Sequence, residues 1–247
     1  MRQLTTELAF IYMTTQVDEE RIESDPPELP YDVEDAEHRK DLLKTMKRSA
    51  YQYDAYHELV QVSFLWNGCY HHFVFCNDPD IETRDTTGPY GRLRVFDIEV
   101  DMLAAVGELL GQIMPTTPDG IPLGAATLAG WKIGTDTVPF LVNRLMSAGL
   151  PVPSPLLTDP MRRFTTVDCL LDVSAIYSQG INMSMRRLPA VGDALKYWGL
   201  GEDYASPDLI RNAICTDPVK AVEHVQSHLA GMCIAVQQYY GGHNGRR

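Results

Sequence analysis

The run RLRVF-Asp97-Ile98-Glu99 places two carboxylates two residues apart at the end of an apolar stretch. Such a pair could hold divalent cations and begin a hydrolytic metal site, because Mg²⁺ and Mn²⁺ favour hard carboxylate oxygens. Asp136 and Asp168 are further acidic candidates downstream. His224 and His228 stand four apart on a helical pattern, a spacing that can chelate a softer ion such as Zn²⁺; the simpler reading is a half-exposed pair beside an apolar stripe. His71 and His72 alternate along a strand and face opposite ways. Lys132, Arg144, Arg162, Arg163, Arg186 and Arg187 could rim a phosphate-binding surface, or be scattered solvated charges. Tyr197 and Trp198, beside Gly199, read as core rather than as a base-stacking platform.

The elements that must position these residues form an α/β pattern. ELAFIYMTTQ, residues 7–16, reads as a strand. HELVQVSFLW and CYHHFVF flank Asn67-Gly68 and read as a hairpin. Residues 80–91 are turn-rich, RLRVF is a short strand, and DIEVDMLAAVGELLGQI carries Met102, Val106, Leu109, Leu110 and Ile113 on one helical face. Asp97 is expected to cap that helix, with Glu99 and Asp101 complementing the positive end of its dipole. GAATLAGWKIG reads as a buried strand; a helix follows from Thr135-Asp136, with Pro139 in its first turn and Gly149 as its stop. LPAVGDALKYWGL is a compact helical piece. The last helix has an apolar stripe of Val222, Val225, Leu229, Met232 and Val236. One domain over 1–240 is expected, with residues 241–247 as a flexible tail.

With 247 residues, 45% hydrophobic and 22% charged, the chain suits a single globular domain. It has no apolar run long enough for a bilayer and no signal-peptide pattern, so a soluble, cytoplasmic protein without membrane partners is expected. Its five cysteines lack paired spacing, which suits reduced thiols. The formal charge of −12 excludes nucleic-acid binding by bulk attraction, though not a local basic groove. Much of the acid lies in residues 17–41, read as an insertion loop or as an acidic lure for a protein partner.

Five segments in order resemble one family. AYQYDAYHELVQVSFLWNG, VDMLAAVGELLGQI, LAGWKIGTDTVPFLVNRLMSAGLPVP, TTVDCLLDVSAIYSQG and ALKYWGLGEDYASPDLIRNAICTDPVKAVEHVQSHLAGMCIAVQQYY are similar to parts of the predicted 3′→5′ exonucleases. These are related to the proofreading domain of B-family DNA polymerases, of the DEDDy type. The resemblance covers nearly the whole chain and implies a ribonuclease H-like fold, with a mixed sheet flanked by helices. It also implies that Asp-x-Glu belongs on the first strand, with two more strands before the second motif. Only one helix and one strand lie between Asp97 and Asp136, so Asp97-Ile98-Glu99 is out of register.

The resemblance then aligns Tyr12 with the first catalytic aspartate and Thr14 with the glutamate. Asp136 matches the second-motif aspartate, with Thr135 in place of an aromatic and Lys132 or Trp131 at the asparagine position. In the last motif, His224 replaces the tyrosine and His228 the aspartate. One of four acids is retained. A protonated tyrosine, a threonine and a neutral histidine bring no negative charge, so the two-metal centre should not form. The expectation is a catalytically silent, exonuclease-like protein that binds a 3′ end of single-stranded nucleic acid or a protein partner. Such a protein needs no cofactor, and Lys132, Arg162 and Arg163 are its candidate nucleic-acid contacts. One alternative is an active Mg²⁺- or Mn²⁺-dependent 3′→5′ exonuclease with a rewired site: Asp136 with His228, or Asp97 and Glu99 with Asp136 and Asp168. A second is a purely structural or regulatory protein contacting its partner through the acidic insertion. A phage or other mobile element, and hence a host cytoplasm, would be a natural home for so divergent a copy.

Overall fold

A computed structural model describes residues 7–17, 41, 57–77, 84–115, 126–153, 156, 170–181, 188–201, 204–214 and 216–244. The chain divides into two compact units, one of residues 15–59 and one of residues 1–14 with 60–247. Of the smaller unit only residues 15–17, 41 and 57–59 are described; within it Thr15 Oγ1 and His57 Nδ1 are 3.2 Å apart. Apart from Val17 and Asp41, the acidic insertion lies outside the described residues, as do Arg162, Arg163, Asp168, Arg186 and Arg187.

The chain is α/β, with a seven-stranded mixed sheet. Its strands are β1 (Leu8–Val17), β2 (His57–Trp66), β3 (Cys69–Phe75), β4 (Arg84–Gly88), β5 (Gly91–Phe96), β6 (Thr127–Gly130) and β7 (Leu170–Asp172), in the spatial order β4-β5-β3-β2-β1-β6-β7. β2 and β3 pair antiparallel across Asn67-Gly68, both at positive φ (52° and 71°), the geometry of a two-residue hairpin turn. β6 returns beside β1 in parallel, Leu8 opposite Thr127 and Ile11 opposite Gly130, and β7 adds outside β6.

β4 was not visible in the sequence. The segment RDTTG is polar, and only its antiparallel pairing with β5, through the two-residue turn Pro89-Tyr90, makes it a strand. As an edge strand it needs no apolar alternation.

The helices are α1 (Glu99–Ile113), α2 (Val138–Ser147), α3 (Val173–Ile181), α4 (Val191–Tyr197), α5 (Pro207–Ile214) and α6 (Pro218–Asn244). α6 runs into the segment expected to be a tail. No described helix is long and apolar enough to cross a membrane. α1 begins differently from expectation: its N-cap is Ile98, with no side-chain cap bond, so Asp97 does not cap it. Glu99 and Asp101 do occupy its first turn.

The two sheet faces are covered by different helices. Phe10, Tyr12, Val74, Leu93 and Val95 pack into one core cluster with Val222, Val225, Leu229, Met232 and Val236, the whole apolar stripe of α6. Each such aliphatic side chain, taken from water, stabilises by about 2 kcal/mol. Arg94 alternates with Leu93 and Val95, so it points to the opposite face. There its guanidinium lies 4.4 Å from the centre of the Phe73 ring, within the field of Glu108 on α1. Met102, Val106 and Leu110 bury α1.

Candidate functional site

Alternation along β1 turns Phe10, Tyr12 and Thr14 toward α6. There the Tyr12 and His228 rings meet, centroids 4.9 Å apart, and the Tyr204 ring also packs against His228, at 5.2 Å. Tyr12 is 8% exposed and His228 1%. His228 is therefore not the half-exposed partner of His224. Its Nδ1–H donates to the His224 carbonyl at 3.0 Å, while the buried His224 Nε2 has no hydrogen-bond partner among the described residues. Gly192 allows this closeness, since a Cβ there would stand 2.8 Å from Tyr204 Cβ and 3.2 Å from His228 Nε2.

Burial pushes the His228 imidazole down, against the pull of the His224 and Ala205 carbonyls. Burial likewise pushes the Tyr12 hydroxyl up to about 12. All three rings are neutral at pH 7, and they pack against one another, His228 touching both tyrosines. Among the described residues, no three His, Cys, Asp or Glu side chains gather at metal-binding distance.

A second set of polar residues on the same face was missed in the sequence. Thr14 Oγ1 donates to Gln61 Oε1 at 2.9 Å, and Gln61 Nε2 donates to Ser63 Oγ at 2.6 Å. Ser63 Oγ lies 2.7 Å from His72 Nδ1, and His72 Nε2 lies 3.0 Å from the Tyr90 carbonyl. A carbonyl only accepts, so His72 carries its proton on Nε2, and Nδ1 accepts from Ser63. Every bond then runs in one direction from β1 to the β4–β5 turn, where Gln226 of α6 donates to the same Tyr90 carbonyl. Gln61, Ser63 and His72 are fully enclosed, and the complete pairing is what makes that burial tolerable. The legible signal was VQVSF and HHFVF, where polar residues hold one face of otherwise apolar strands.

The C-terminal ends of β6 and β7 build the third region. Lys132 adopts the left-handed conformation (φ 48°, ψ 37°) and leads into a π-turn, Ile133–Thr137. Asp172, also unseen as a site residue, holds this turn. Its Oδ1 accepts the Lys132 N–H at 3.1 Å, the Ser174 N–H at 2.9 Å and the Ser174 hydroxyl at 2.6 Å. Lys132 Nζ lies 3.7 Å from a largely exposed Asp136 carboxylate, which sits inside the π-turn and makes no cap bond.

Beside them, Tyr177 of α3 receives Trp131, Tyr197 and Trp198 edge-on, at 5.8, 5.7 and 5.3 Å. The buried Trp131 indole N–H has no hydrogen-bond partner among the described residues. Trp198 is half-buried, but Tyr197 is 67% exposed and is no core residue.

Asp97 and Glu99 lie elsewhere. β5 and β6 are four strand spacings apart in the sheet order, on the order of 19 Å, against the roughly 4 Å that separates a bridged metal pair. Asp97 therefore cannot share a metal centre with Asp136. Glu99 is instead engaged by the Arg144 guanidinium through two hydrogen bonds, one of them 3.1 Å, joining α1 to α2. The two side chains are 16% and 19% exposed. Glu99→Gln should therefore cost about 2 kcal/mol in urea unfolding, because it leaves a shielded guanidinium without its counter-charge. An unchanged midpoint would make this an ordinary solvated pair.

No protein-family model matches this sequence, and no curated protein matches it.

Proposed function

We propose that this chain is a ribonuclease H-like domain of the 3′→5′ exonuclease type whose catalytic centre has been replaced by packed side chains, and which acts by binding rather than by hydrolysis. One observation carries the reading. The resemblance assigns Tyr12 and His228 to the first and last catalytic acids, 216 residues apart in sequence, and their rings are in contact. Two positions that would share metal ions in an active relative are neighbours in this chain, occupied by neutral rings. The strand order supports the fold. The first strand is followed by the β2–β3 hairpin, β4 and β5 extend the sheet beyond β3, and after the crossover helix α1, strand β6 returns beside β1 just before Asp136.

The chemistry argues against hydrolysis. Two divalent ions in a water-poor site need several carboxylates to offset their charge. Here Asp136 alone remains, held beside Lys132. Neither 3′-recessed nor single-stranded DNA or RNA should lose nucleotides with Mg²⁺ or Mn²⁺, whether the protein is wild type or Asp136→Ala. Release of nucleotides by the wild type that Asp136→Ala abolishes would overturn the reading.

A further inference from the structure

β3 and β5 carry a positively charged strip on the sheet face opposite the Tyr12–His228 pair. We infer that Arg92, Arg94 and His71 form a binding site for a phosphate monoester group, with the two guanidinium groups meeting its oxygens and a His71 ring N–H beside them. The site shares no residue with the function proposed above and stands apart from it.

Strand register brings these residues together. β3 and β5 are parallel, with His71 opposite Arg92 and Phe73 opposite Arg94. Leu93 and Val95 enter the core cluster beneath α6, so alternation turns Arg92 and Arg94 to the other face. The Arg94 guanidinium lies over the Phe73 ring at 4.4 Å, and the Trp66 ring packs against His71 with centroids 6.5 Å apart. Burial first, and then the charges of Arg92 and Arg94, push the His71 imidazole down, so both arginines act on this ring. Burial and then the Arg92 charge push the Arg94 guanidinium down, ahead of the opposing pull of Asp85 and Glu108. Positive potential is therefore in excess along the strip.

The nearby carboxylates do not use up that excess. Asp85 engages Arg92 through two hydrogen bonds, one of them 2.9 Å, and both side chains are 48% exposed. Such a solvated pair is weak and leaves Arg92 able to meet a second anion. Arg94 has no ion pair among the described residues. Residues 84–96 hold three arginines and one aspartate, a net of +2 in a chain of −12. Arg92 and Arg94 stand two residues apart on one face of β5, roughly 7 Å along the strand. A carboxylate presents one edge and pairs with one guanidinium fork. A phosphate presents three oxygens and close to two negative charges, so it can face both forks at once.

The test is an NMR titration of the full chain with inorganic phosphate, phenyl phosphate and succinate, at neutral pH and an ionic strength held constant with sodium chloride. The reporter is the Trp66 indole signal, identified by its loss in Trp66→Phe. Phosphate should shift it saturably, with a Kd of about 1 mM or below. Tighter binding of phenyl phosphate assigns the site to a phosphate carried on a larger molecule; binding no tighter than inorganic phosphate assigns it to the free anion. Arg94→Gln should weaken binding about tenfold, and so should Arg92→Gln, whose exposed position leaves the fold intact. Arg84→Gln is the control, because Arg84 lies opposite Val95 and so faces the other way. Absence of a saturable shift, equal weakening by Arg84→Gln, or succinate binding as tight as phosphate overturns the inference.

Discussion

Gly91→Ala should be among the most damaging single substitutions in the described part of this protein, lowering stability by about 3 kcal/mol or more. Gly91 opens β5 at φ +89°, where an L-residue is strained. A Cβ there would also stand 2.4 Å from the Tyr70 carbonyl oxygen and 2.7 Å from Tyr70 Cβ. The obstacle is backbone and the root of a side chain, so no rotamer change relieves it. β5 would have to move off β3, and with it the Tyr90 carbonyl that accepts from His72 and Gln226. Gly68→Ala is the control. It too has positive φ, +71°, but nothing lies within 4 Å of its added Cβ. It should cost only the conformational term, about 1 kcal/mol. Urea midpoints of the two variants separate strain from collision. Equal losses would mean that the close approach of β5 to Tyr70 does not matter.

The contrast between these two glycines reflects what the sequence could reveal. Asn67-Gly68 between two alternating runs announces its hairpin, because the turn chemistry is local. The α6 stripe is equally legible, since burial on one face of a helix writes a period into the chain. Gly91 carries no such signature; its constraint comes from β3, some twenty residues earlier. β7 was missed because LLD is too short to show alternation.

Asp172 was missed because the N–H it accepts belongs to a residue 40 positions away. The same limit governs the candidate site. Only alignment to a resembling family pairs Tyr12 with His228, since no spacing rule links the first strand to the last helix. Asp97-Ile98-Glu99 shows the reverse. Its local pattern suggests metal chemistry, yet Glu99 serves an inter-helix ion pair and Asp97 follows a strand four positions away from β6 in the sheet.

His72 should make the fold acid-sensitive in a window where few other groups titrate. Burial lowers its pKa from 6.5 to about 4, although the Tyr90 carbonyl pulls the other way. Its neighbours explain why a proton is excluded. Nδ1 is occupied by the Ser63 hydroxyl, Nε2–H by Tyr90, the Tyr70 ring stacks over it at 6.0 Å, and neither His71 nor the β2 residues paired with β3, Gln61 to Trp66, offer a carboxylate; Glu58 lies at the far end of β2. Protonating Nδ1 would force Ser63 to stop donating to it, and the directional chain back to Gln61 and Thr14 would have to be rebuilt. The unfolded chain binds a proton at His72 below pH 6.5, and the folded chain does not until about pH 4. Stability therefore falls as pH falls through that window, by about 3 kcal/mol at its lower end. His228 is shifted in the same direction and adds to the slope. The part of the loss between pH 6.5 and 5 precedes carboxylate protonation and is the part to read. His72→Gln keeps a neutral donor near Tyr90 at every pH. It should start less stable at pH 7, by about 2 kcal/mol for its imperfect bonding, and lose less than wild type on acidification. Parallel pH profiles for wild type and His72→Gln would show that the proton goes elsewhere, and that the chain from Thr14 to Tyr90 does not depend on a neutral imidazole.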